Sequence, residues 1–86
     1  MPRISAFYGI VIAMYFRDHA PPHFHAIYGG FEATIVIETL EPLAGRLPTR
    51  ALRLVQEWAG QHRAELEANW ESARAHLPLA SIDPLP

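Results

Sequence analysis

The chain has no cysteine and no lysine. Without cysteine there is no disulfide, no thiolate metal site and no cysteine nucleophile, and the composition fits a reducing compartment. Without lysine every side-chain cation is an arginine, whose planar fork suits carboxylate and phosphate better than an ammonium does. The thirteen alanines beside them fit the coding bias of a GC-rich genome, which accounts for the arginines equally well. Long apolar runs are missing too: the longest, Tyr8 to Phe16, falls far short of the ~20 residues a membrane helix needs. The opening Met1-Pro2-Arg3-Ile4-Ser5 lacks the basic region and apolar stretch of a secretion signal. Nor is there an excess of positive charge, since the formal net charge is −2, so nothing global advertises a nucleic-acid binder. The expectation is a soluble cytoplasmic protein without membrane contact.

Half of the 86 residues are hydrophobic. That is enough for a core in one domain over residues 1–86, although a chain this short buries only ~60–65% of its unfolded surface. Residues 7–17 alternate, with Tyr8, Ile10, Ile12, Met14 and Phe16 on one side and Val11, Ala13, Tyr15 and Arg17 on the other, which predicts a strand. Pro21 and Pro22 break it. Strands over 23–28 and 31–39 flank Gly29-Gly30, a tight hairpin turn. A two-residue turn sets Tyr28 opposite Phe31, Ala26 opposite Ala33 and Phe24 opposite Ile35. On the other face His25 then lies opposite Thr34, His23 opposite Val36 and Ile27 opposite Glu32. The diagonals bring Glu32 near His25 and Glu38 near His23.

The stretch 40–47, with Pro42 and Gly45, reads as a loop. An apolar stripe through Ala51, Val55, Trp58, His62, Leu66, Trp70 and Ala73 predicts one long helix over 48–76, kinked or divided at Gly60. A proline-rich tail follows over 78–86. The predicted fold is α+β, a three-stranded antiparallel sheet with that C-terminal helix on one face. The second face stays open, and its half-apolar character, with Tyr15, Ile27 and Val36, suits a partner protein or a homodimer.

Chemistry concentrates in Arg17-Asp18-His19-Ala20-Pro21-Pro22-His23-Phe24-His25, where three of the five histidines fall within seven residues. Three readings fit these side chains. His19, His23 and His25, with a carboxylate, form a donor set for zinc or another divalent metal. His23 and His25 could instead act as general acid and base, with Arg17 or Arg50 on a phosphate, as in a metal-independent ribonuclease. In the third reading the histidines are structural, capping turns and pairing across strands, and no cofactor is needed. At the helix start Arg46, Arg50 and Arg53 crowd the positive end of the dipole, an arrangement unfavourable to the helix that suits an anion. His62 belongs to the apolar stripe, and His76 is placed to meet the last helix carbonyls.

Phe7-Tyr8-Gly9-Ile10, Asp18-His19, Pro21-Pro22-His23-Phe24-His25-Ala26 and Tyr28-Gly29-Gly30 closely resemble the bacterial domain-of-unknown-function family numbered 4160. Leu47-Pro48, Arg50-Ala51-Leu52-Arg53-Leu54-Val55 and Glu57-Trp58-Ala59 agree as well. Members are often encoded beside a protein of the family numbered 2442, in a pair proposed as a toxin–antitoxin module. The resemblance therefore implies a cognate protein partner and an RNA-directed activity, and it transfers no catalytic residue. Gly60 and Gln61 depart from the good helix formers more usual there.

Overall fold

In the computed structural model of the chain, which describes residues 2–86, Tyr8 and Gly9 both take positive φ, 50° and 79°. Such a pair makes the tight primed turn whose twist matches two antiparallel strands. It cuts the predicted strand over 7–17 back to β2 (Ile10–Ala13), leaves 14–17 outside any strand, and pairs β2 with an unpredicted strand, β1 (Arg3–Phe7), Phe7 to Ile10 and Ala6 to Val11. The alternation of apolar residues runs unbroken through the turn, which is why periodicity alone concealed it.

β3 (His23–Tyr28) and β4 (Phe31–Val36) pair in the register the glycine turn predicts, from His23 opposite Val36 to Tyr28 opposite Phe31. β4 ends short of the predicted residue 39. The stretch read as a loop supplies a further strand, β5 (Pro42–Gly45), on the free edge of β4. β5 is exposed throughout and opens on a proline, which an edge strand tolerates at its first position. Gly45 closes it at φ 71°, where a Cβ would collide with the Glu32 carbonyl oxygen. The sheet therefore has five antiparallel strands in the order β1-β2-β3-β4-β5, not three.

The single long helix is likewise corrected to two. α1 (Thr49–Gln61) starts after Pro48, and α2 (Arg63–Arg74) follows a break at His62, where φ is −128°. Gly60 stays inside α1. α2 ends in a Schellman motif: Leu77 N–H reaches Ser72 O, His76 N–H reaches Ala73 O, and His76 sits at φ 60°. The helices cover the face that carries Ile10, Ile12, Phe24, Ala26, Ala33 and Ile35, all essentially inaccessible to solvent. Trp58 is the centre of that core, its ring 5.3 Å from Phe7 and 5.9 Å from Phe24. The tail docks, with Ile82 and Leu85 buried and Ile82 N–H bonded to Ile4 O at 2.8 Å. No helix among the described residues is long and apolar enough to cross a membrane.

Candidate functional site

Strand alternation sends Phe24 into the core and projects His23 and His25 from the opposite face. The chain from Phe16 to Pro22 cannot continue the ladder, because its prolines lack N–H donors, so it folds back over the start of β3. The Ala20–Pro21 peptide is cis. This path brings Asp18 onto the two imidazoles. Its Oδ2 lies 2.8 Å from His23 Nε2 and 3.1 Å from His25 Nε2, and its Oδ1 accepts the His19 backbone N–H at 3.0 Å.

The other ring nitrogens are also placed. His23 Nδ1 donates to the Pro21 carbonyl at 2.7 Å, which assigns that proton because a carbonyl can only accept. His25 Nδ1 is buried and makes no hydrogen bond, although Glu32 Oε2 lies only 3.3 Å away, off the line an N–H would need. The Tyr15 ring meets His25 edge-on at 4.4 Å, and Trp70 of α2 lies 5.1 Å from the His23 ring. His23 is 5% exposed, while the Asp18 side chain, at 24%, is the side of the cluster nearest water.

Burial alone would raise the Asp18 carboxyl, but hydrogen bonds from His25, His23 and the His19 backbone outweigh it and hold the group below its ordinary range. Tyr15 moves the other way: partial burial, then the negative charges of Glu32 and Asp18, push the phenol up, so it stays protonated. Asp18, His23 and His25 each offer a donor atom within 4.8 Å of the others, the one such group among the described residues.

The predicted site residues thus separate. His23 and His25 come together, with Tyr15 against them. Ile27 and Val36 lie half-buried on the same face. The expected Glu32–His25 diagonal is present, whereas Glu38 makes no ion pair with His23 among the described residues. His19 contributes its backbone and leaves its side chain exposed. Arg17 is turned aside: its Nε–H donates to His76 Nε2, beside a stack of His76 on Phe16. Arg50 lines a cleft of about 190 Å³ with Tyr8, Tyr28 and Leu54 on the helix-bearing face, and Arg46 lies over the Phe31 ring at 5.4 Å. Arg53 is exposed on α1. The first turn of α1 holds no acidic residue and no side-chain cap. His62 bonds Glu65 at 2.6 Å beside Trp58.

Sequence reasoning placed Asp18 at the head of the functional segment but did not assign it as the partner of His23 and His25. The signal was a carboxylate at the head of the proline loop, five residues before His23, where a chain forced to turn back can deliver it.

No curated protein and no solved structure matches the chain. A family model matches residues 9–71, which hold the whole Tyr15–Glu32 cluster and most of both helices, and the chain belongs to that family, described as "Domain of unknown function (DUF4160)".

Proposed function

We propose that the chain is a small α+β component of a toxin–antitoxin-like module, acting through the Asp18–His25 segment and binding a cognate protein over the sheet face that carries Tyr15, Ile27 and Val36. One observation carries this reading: the Asp18, His23 and His25 cluster sits on the same sheet face as half-buried Tyr15, Ile27 and Val36. A titratable cluster bordered by apolar surface is the composition of an interface with a polar anchor. Metal-independent RNA cleavage fits less well. It needs accessible imidazoles and a cation at the phosphate. Here both Nε2 atoms are turned on Asp18, Arg17 is held by His76, and Arg50 lies on the other face.

The test is calorimetric binding to a protein of the family numbered 2442, with wild type against Ile27→Asp and Val36→Asp. A charge in an apolar contact should weaken binding at least ~10-fold, with far-UV circular dichroism unchanged. Unaltered affinity in both variants would remove this face as the interface. Sedimentation of the chain alone reports the other occupant of the face, a second copy.

A further inference from the structure

We infer that Asp18 Oδ2, His23 Nε2 and His25 Nε2 are the ligands of a divalent transition-metal site of the zinc class. The inference concerns this cluster alone and stands whether or not a partner covers the sheet.

The geometry leaves a place for positive charge. A neutral imidazole carries one N–H. A neutral His23 uses its own on the Pro21 carbonyl, so its Nε2 can hydrogen-bond the carboxylate oxygen 2.8 Å away only with a second proton on the ring, and otherwise presents a lone pair to it. Two acceptors at that distance need a cation between them, either a proton or a metal ion. His25 turns its Nε2 on the same oxygen, so a single ion at that point meets all three donors. With neutral imidazoles, Asp18 and Glu32 give the cluster two negative charges, which a divalent ion balances.

The surroundings are those of a ligand set. A metal-binding histidine hands its other N–H to a backbone carbonyl or a carboxylate, which fixes the ring. His23 already does this at Pro21 O. When a metal takes His25 Nε2, the proton must sit on Nδ1, the buried nitrogen that makes no hydrogen bond here, and Glu32 Oε2 stands 3.3 Å from it. Glu32 Oε2 lies off the line of that N–H, so its half-exposed side chain has to turn to accept it when a metal is bound. Donors ~2.05 Å from tetrahedral zinc lie about 3.3 Å apart. The two Nε2–Oδ2 distances, 2.8 and 3.1 Å, need to open only by a few tenths of an ångström. Two nitrogens and one oxygen favour zinc, iron, nickel or copper over magnesium and calcium, which prefer oxygen alone. Three protein ligands leave the remaining position to water or a substrate atom, on the side where Asp18 meets solvent.

The experiment uses untagged chain treated with chelator, titrated with Zn²⁺ by calorimetry and with Co²⁺ by visible absorption. Saturation at one ion per chain is expected, with tetrahedral-type cobalt bands and no response to Mg²⁺. Asp18→Asn and His25→Gln should each weaken Zn²⁺ by at least 100-fold while keeping the far-UV spectrum. Glu32→Gln, which removes only the acceptor behind His25, should weaken it ~10–100-fold. His62→Gln, at the separate Glu65 pair, should leave it unchanged. Non-saturable binding by wild type, or full affinity in both Asp18→Asn and His25→Gln, overturns the site. No partner is present in this assay, so its failure leaves the interface reading untouched.

Discussion

Asn69 is buried and pairs with both backbone groups of one residue: Nδ2 donates to Ala80 O, and Oδ1 accepts from Ala80 N–H, each at 2.9 Å. Truncation to alanine would remove both hydrogen bonds and leave the N–H and C=O of exposed Ala80 to water. A lost hydrogen bond costs ~1 kcal/mol, so Asn69→Ala, which loses two, should destabilise the chain by about 2 kcal/mol in urea denaturation. A loss under 0.5 kcal/mol would mean that water replaces the amide freely. No sequence pattern marks Asn69, because an asparagine on a mostly polar helix looks like surface until its partner, eleven residues further along the chain, is placed. The same limit hid the partners of Asp18. His23 and His25 were legible as a pair because strand alternation puts i and i+2 on one face, and Glu32 was legible because a two-residue turn sets the diagonal. A loop carboxylate obeys neither rule.

Elements divide along the same line. The β3–β4 register is local arithmetic and could be read directly. β5 could not, because its residues are exposed and do not alternate; it exists because β4 has an edge to pair with. The break between α1 and α2 was expected at Gly60, the weakest helix former, but it falls at His62. Two glycines therefore make opposite predictions. At Gly60 the backbone is helical and a Cβ would meet only Leu40 Cδ1, at an ordinary 3.8 Å. Gly60→Ala should raise stability by ~0.5–1 kcal/mol through the helix-propensity difference. Gly45 is left-handed, and a Cβ there would collide with the backbone of β4. Gly45→Ala should cost ~2 kcal/mol or more by combined strain and clash, and should raise hydrogen exchange along β5 before the central strands. Thermal melts of the two variants on either side of wild type would separate the positions; a destabilised Gly60→Ala would mean that the short helix needs its glycine for the turn at His62.

At the scale of the molecule, the residues outside the family match are not ornament. The match spans 9–71, yet β1 and the tail, both beyond it, close the core together. Ile82 is 3% exposed, its N–H is bonded to Ile4 O, and the next residue's carbonyl, Asp83 O, takes the Trp58 indole N–H at 2.8 Å. The tail thus ties β1, α1 and α2 to one another. Its proline-rich composition could not distinguish docking from mobility, since prolines suit an extended docked strand and a free one alike. Burial makes the distinction testable. Ile82→Ala removes three buried carbons and should cost ~2–4 kcal/mol. For a domain of this size that is a fall of roughly 10–20 °C in Tm. Tryptophan emission, from Trp58 and Trp70 together, should shift to the red as water reaches the Trp58 indole. Leu77→Ala, at a residue 55% exposed just before the tail, serves as the control and should change stability by under ~0.5 kcal/mol. If Ile82→Ala melts with wild type and tryptophan emission does not move, the tail does not hold the core in solution. A large fall in Ile82→Ala alone would show that the stable unit extends past the matched residues, so that a chain cut at residue 71 would lose the fold before any metal or partner could be tested on it.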